Sequence, residues 1–269
     1  MADAPGRAIA DPTPDADDRA GGTGLRPALE LLARVGDLPE GGVVDLGCGS
    51  GAAGPALAAR FPDRALTGID RSDRMLARAA ATGAYRRCLA EGIATWDPAT
   101  APALIFSCAA LHWLADHDRL FPTLAGHLAP GGTLAVQMPR QAAAPSHRFL
   151  REFTLDMFPD RTIAEPAPVL APIDYHRLLT PLGQLDIWET EYLHRLDPGS
   201  AGSGHPVRQF LEPTLLPPYA EALAPGELSA LVARYDEALA AAYPVEPDGA
   251  VLFPFRRLFL VLTLPGHPF

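Results

Sequence analysis

The sequence predicts a doubly wound, mostly parallel α/β sheet with helices inserted late in the chain. Three observations carry this. Apolar runs alternate with helical segments up to about residue 139. One of the runs, 103–108, is apolar almost throughout, as a strand buried on both faces is, and 133–138 reads as another buried strand. The first strand, 43–46, runs directly into Gly47-Cys48-Gly49-Ser50-Gly51, a glycine-rich turn that opens a helix.

Taken in order, residues 1–24 are Ala, Asp, Pro and Gly with almost no large apolar group, which predicts a disordered tail. Order begins at Leu25-Arg26-Pro27, where Pro27 suits a first helical turn and Leu29, Leu32 and Ala33 recur at helical spacing. After the glycine turn a helix is expected over 52–61 and a strand over 65–69, ending on Asp70. Ser72 and Asp73 cap a helix through Met75, Leu76 and Ala79, and a short strand follows near 87–89. The strand at 103–108 leads into Leu111-His112-Trp113-Leu114, then a helix over 117–128 and the strand at 133–138. Lid helices are expected at about 141–182 and 203–248, around an alternating strand at 186–192. A last strand is expected at 257–264.

The 269 residues suffice for one large domain, here 25–269, and a sizeable core. A formal net charge of -10 argues against a nucleic-acid partner, and all basic residues are arginine. The cysteines, Cys48, Cys88 and Cys108, lack disulfide-framework or zinc spacing, so free thiols and no metal are expected. No apolar stretch approaches the roughly 20 residues of a membrane span, and no signal peptide is recognisable, so a cytoplasmic enzyme is expected.

The strand, glycine loop, helix and acid-capped strand predict a nucleoside-cofactor site. The helix N-terminus presents bare N–H groups, and Asp70, about twenty residues past the loop, can accept both ribose hydroxyls. Gly47-x-Gly49-x-x-Ala52 satisfies a loose dinucleotide fingerprint, so NAD stays open. Gly47-x-Gly49-x-Gly51 preceded by Asp45 suits S-adenosylmethionine better: a carboxylate there can orient the loop or meet the methionine ammonium, whereas a pyrophosphate gains nothing from it.

The run Val44-Asp45-Leu46-Gly47-Cys48-Gly49-Ser50-Gly51, followed by Thr67-Gly68-Ile69-Asp70-Arg71-Ser72-x-x-Met75-Leu76, resembles class I methyltransferases. Further pieces resemble trans-aconitate 2-methyltransferases specifically. They include Arg26-Pro27-Ala28, Leu111-x-Trp113-Leu114-x-Asp116-His117, Leu134-Ala135-Val136-Gln137-Met138-Pro139, Asp186-Ile187-Trp188-x-Thr190 and Arg257-Leu258-Phe259. The resemblance spans roughly 25–265 and implies a seven-stranded sheet, a helical lid and methyl transfer to a carboxylate. It implies cofactor contacts from Asp45, Gly47, Cys48, Gly49, Gly51, Asp70, Arg71, Met75, Glu91, Gly92, Ile93 and Cys108. It implies substrate contacts from His112, Trp113, His147, Tyr175 and Arg257.

The chain also departs from that pattern. Asp17 to Gly24 lacks the aromatics expected there, and Gly92 replaces an acid, with Glu91 adjacent. Cys108 stands for Asn and His112 for Gln, and Pro217 takes the place of a lid arginine in Phe210–Pro218. A free small-molecule acid, a specialised metabolite and a carrier-protein-bound acid therefore stay open as acceptors.

A carboxylate nucleophile is already ionised at neutral pH, so its methylation needs alignment and water exclusion rather than a base. A hydroxyl or amine acceptor would need one, and His112 is the candidate. The competing function is a methyltransferase fold repurposed for binding, cyclisation or rearrangement. The intact Gly47, Gly49, Gly51 and Asp70 oppose it.

Overall fold

A computed structural model describes residues 25–164, 167, 169–198 and 204–266. The expected disordered tail at 1–24 lies outside them. The helices are α1 (Leu25–Leu32), α2 (Gly54–Arg60), α3 (Asp73–Ala81), α4 (His117–Gly126), α5 (Pro145–Met157), α6 (Pro172–Leu179), α7 (Pro206–Leu215), α8 (Pro217–Ala222) and α9 (Pro225–Ala242). The strands are β1 (Val43–Leu46), β2 (Leu66–Asp70), β3 (Arg87–Ala90), β4 (Leu104–Cys108), β5 (Thr133–Pro139), β6 (Gln184–Leu196) and β7 (Val251–Thr263). They form one seven-stranded sheet in the order β3-β2-β1-β4-β5-β7-β6.

The sheet is mixed: β1 to β5 pair in parallel, and β7 runs antiparallel to both β5 and β6. The order reverses between β1 and β4. In a sheet of this kind that reversal opens a crevice at the carboxyl ends of the strands, where ligands bind.

Alternate residues of each strand feed two cores. Leu104, Phe106, Ala135, Phe259 and Val261 pack with α1 and α2 on one face, while Ile105, Leu134, Val136, Leu258 and Leu260 pack with α4 and α6 on the other. A third core joins Leu150 of α5, residues of α7–α9 such as Leu211, Leu231, Tyr235 and Leu239, and Val251, Phe253 and Phe255 of β7. Leu231 and Tyr235 share the face that the i, i+4 spacing predicts, and both are fully buried.

The prolines explain the segmentation of the second half. Pro145, Pro172, Pro206, Pro217 and Pro225 each stand in the first turn of a helix, where the missing N–H costs nothing. The last strand begins six residues before the predicted Arg257. Its early part alternates Val251, Phe253 and Phe255 into the helical core, a pattern that Pro254 obscures in the sequence. β6 is likewise longer than the predicted 186–192 and reaches Leu196.

Candidate functional site

The glycine turn sits at the carboxyl end of β1, beside the switch point. Gly47, Gly49 and Gly51 have φ of 78°, 53° and 84°, in the left-handed region that favours glycine. A Cβ at Gly47 would stand 2.3 Å from the Ala110 Cβ, so glycine lets the chain after β4 fold back over the loop. That fold-back turns at Ala109, itself held at φ 56°, a strained value of the kind that collects at functional sites. The turn delivers Leu111–Trp113 to the crevice as a short 3₁₀ segment.

Asp70 ends β2 and braces the loop. Its Oδ2 accepts the Gly49 N–H at 3.0 Å and its Oδ1 accepts the Ser72 N–H at 2.9 Å. A carboxylate oxygen has a second lone-pair site beyond one such bond, so Asp70 retains capacity for two ribose hydroxyls. Asp45 behaves differently. It is 2% exposed and accepts the Tyr85 hydroxyl at 2.6 Å. Burial pushes its carboxyl up to about 6, against the Tyr85 hydrogen bond, with Asp70 adding to the rise.

Tyr85 fits beneath the loop because Gly51, Gly54 and Gly68 leave it room. A Cβ at any of the three would come within 3.0 Å of the Tyr85 ring. Cys48 and Met75 are buried nearby, Arg71 is exposed, and the Glu91 N–H binds the Asp70 carbonyl at 3.1 Å. Gly92 precedes the 3₁₀ turn Ile93–Thr95, and Ile93 packs toward Gly47. The structure thus gathers Asp45, Gly47, Cys48, Gly49, Gly51, Asp70, Glu91, Gly92 and Ile93 around one loop. These residues fit S-adenosylmethionine: a backbone cradle free of side chains, a carboxylate that can meet a ribose, and a buried acid, Asp45, behind the loop where an anionic pyrophosphate gains nothing.

Across the crevice, β4, β5 and β7 contribute a second group. Gln137 of β5 accepts the Cys108 thiol at 3.1 Å and the Arg257 guanidinium at 3.3 Å through the same Oε1. Arg257 lies against Phe255, with its guanidinium carbon 4.9 Å from the ring centre. Arg256, on the opposite face, pairs with Glu191 at 3.6 Å, whereas no carboxylate among the described residues pairs with Arg257. Burial lowers the Arg257 pKa, yet a guanidinium stays charged at neutral pH. Burial also pushes the Cys108 thiol up to about 12 against the pull of Arg257, so Cys108 is a neutral donor.

His112 completes this group. Burial first, then Arg257 and His117, bring its pKa down to about 3. Its Nδ1, the Gln137 Nε2 and the Arg257 Nε are all buried with no partner among the described residues. Buried polar groups are normally satisfied, so three orphans converging at strand ends mark a place made for a polar ligand. Trp113 lies tilted against His112, with ring centres 4.7 Å apart and the planes at 40°.

Two predicted substrate residues lie elsewhere. Tyr175 is fully buried in the opposite core, where its hydroxyl and the His117 Nδ1 are 2.6 Å apart. It is thereby occupied as a core residue. His147, on α5, bonds the adjacent Ser146 hydroxyl at 3.1 Å, and burial lowers it to about 4. Tyr85 and Gln137 are site residues that sequence reasoning missed. Gln137 did leave a signal, as a polar residue inside an otherwise apolar strand. Among the described residues no group of three His, Cys, Asp or Glu side chains could hold a metal ion, and no helix is long and apolar enough to cross a membrane.

This arrangement, with strands in the order given above, defines an S-adenosylmethionine-dependent methyltransferase, and residues 43–132 match the family model described as "Methyltransferase domain". The chain belongs to the family of trans-aconitate 2-methyltransferases. It is 42% identical over 238 residues to the one from Klebsiella pneumoniae (strain 342), covering 88% of this chain and 91% of that protein. It is 39% identical over 244 residues to the one from Rhizobium meliloti (strain 1021), covering 88% and 93%. The fold matches the crystal structure of the YcgJ protein from Bacillus subtilis with a TM-score of 0.56 at 14% identity, covering 90% of this chain and 100% of that one. A putative methyltransferase from Bacillus halodurans C-125 matches with a TM-score of 0.55 at 14% identity, covering 91% and 100%.

Proposed function

We propose that this protein methylates a carboxylate of a small organic acid, forming a methyl ester, with trans-aconitate, the acid named for its relatives, as the first candidate. The observation that carries this is Arg257: a half-buried guanidinium whose Nε is buried and unpartnered, with no carboxylate paired to it among the described residues, beside further unsatisfied groups. A buried charge without a counter-ion is costly, and an acceptor carboxylate would supply that counter-ion.

S-adenosylmethionine supplies an electrophilic methyl group on a sulfonium. In our reading Asp70 holds the ribose, Gly47, Cys48, Gly49 and Gly51 line the methionine part, and Asp45 stiffens the loop through Tyr85. Arg71, Met75, Glu91, Gly92 and Ile93 border the adenosine, and Cys108 faces both halves of the site. Arg257 and Gln137 orient the acceptor carboxylate, and Trp113 walls the site from water beneath the helical lid at about 141–182 and 203–248. The chemistry suits a carboxylate better than a hydroxyl or amine. A base with a pKa of about 3 is feeble at neutral pH, so His112 positions the acceptor rather than taking a proton from it.

A specialised-metabolite acid, free or carrier-bound, is a second reading. It is favoured by the lid: Arg208, the arginine of α7, is engaged by Asp236 at 2.8 Å and Glu212 at 2.9 Å. The test has two stages. Calorimetry should give binding of S-adenosylmethionine and S-adenosylhomocysteine. Methyl-labelled cofactor with a panel of acids, trans-aconitate included, should then give a base-labile methyl ester. Binding without transfer to any acid would favour the repurposed fold instead.

A further inference from the structure

We propose that His194 is a specificity-determining residue: it meets a second acid group of the acceptor while Arg257 holds the one beside the methyl donor. This rests on the carboxylate reading above.

The argument begins with one face of β6. Trp188, Thr190 and Tyr192 project to that face, and all three donate to Glu30 of α1, Trp188 at 3.0 Å and Thr190 at 2.6 Å. His194 is the next residue on the same face. It shares no bond with Glu30, and it faces α7 instead, its ring stacked 5.8 Å from Phe210. It also stands edge-on to Phe255, with ring centres 5.6 Å apart. His194 is 6% exposed, and its Nε2 is buried with no partner among the described residues.

Phe255 is the ring that also carries Arg257, so the two polar side chains flank one aromatic group of the helical core. A small acid whose carboxyl groups are a few bonds apart could reach from one to the other. Burial and the nearby guanidinium both lower the His194 pKa, which leaves a neutral imidazole. A neutral imidazole can donate one N–H to a carboxylate, or accept a hydrogen bond from an un-ionised acid. It does so at smaller desolvation cost than a second buried cation would carry. The alternative role for His194 is aromatic filler between Phe210 and Phe255. A phenylalanine would serve that role as well, since it keeps the ring and the stacking.

The substitutions H194F and H194Q separate these roles. The measurement is kcat/KM for trans-aconitate and for an acceptor with a single carboxylate, with S-adenosylhomocysteine affinity as a control. H194F should lower the ratio of the two kcat/KM values about tenfold or more, by the worth of one buried hydrogen bond. H194Q, which keeps a donor, should restore part of it, and S-adenosylhomocysteine binding should be unchanged in both. An unchanged ratio in H194F, or equal losses on both acceptors, would overturn the assignment while leaving the carboxylate reading in place. A wild-type enzyme that methylates neither acid would overturn both.

Discussion

The two halves of the crevice treat their polar groups in opposite ways. Around the glycine loop they are satisfied within the chain: Asp70 takes two backbone N–H groups and Asp45 takes the Tyr85 hydroxyl. Around β4, β5, β6 and β7 they are left open, at His112 Nδ1, Gln137 Nε2, His194 Nε2 and Arg257 Nε. A satisfied network rigidifies, whereas an unsatisfied one is costly until a ligand completes it. In the reading proposed above, the first half is a preformed cradle and the second keeps unmet hydrogen bonding for an acceptor.

Replacing Arg257 breaks the contrast most severely. R257M should reduce kcat/KM for a carboxylic acid about 10²–10³-fold, because one partner of a buried charge pair is removed. S-adenosylhomocysteine affinity, measured by calorimetry, should not change.

On the cradle side, Asp45 predicts a pH signature. Its folded pKa is raised, so the native state holds a proton that the unfolded chain releases. The resulting stability is complete below the unfolded carboxyl value near 4 and is lost as pH rises through about 6. Between these limits the unfolding free energy from urea titration should fall by roughly 2–3 kcal/mol through this group, and D45N should flatten the slope.

Asp70 sharpens the division from the cofactor side. D70A should weaken S-adenosylmethionine binding about ten- to a hundredfold, as expected for lost hydrogen bonds to a charged group. The order of affinities among acceptors should survive. The smallest effect is expected at Tyr175, outside both halves. Y175F strands the His117 Nδ1 and should cost about 1–2 kcal/mol of stability with kcat/KM unchanged.

The same contrast explains what was legible. The cradle is local: the loop, Asp70 and Ile93 fall within one stretch of chain, and positive-φ glycines announce themselves by residue type. Tyr85 was hidden because its role depends on the room that Gly54 and Gly68 leave it, which no spacing reveals. The acceptor half assembles from β4 to β7, so its composition follows from strand order rather than from any motif. Arg256 and Arg257 are equivalent in sequence; only the pleat of β7 turns one to solvent and the other inward. His194 lay just past the predicted strand, because the alternation that continues β6 to Leu196 is masked by charged residues at its edge.

The most direct test compares the urea stability of R257M with that of the wild type, both without ligand. If Arg257 awaits an acceptor carboxylate, methionine removes a half-buried charge that has no counter-ion, and the variant should be as stable as the wild type or more so. A loss of about 2 kcal/mol or more would make Arg257 a structural residue and contradict the account.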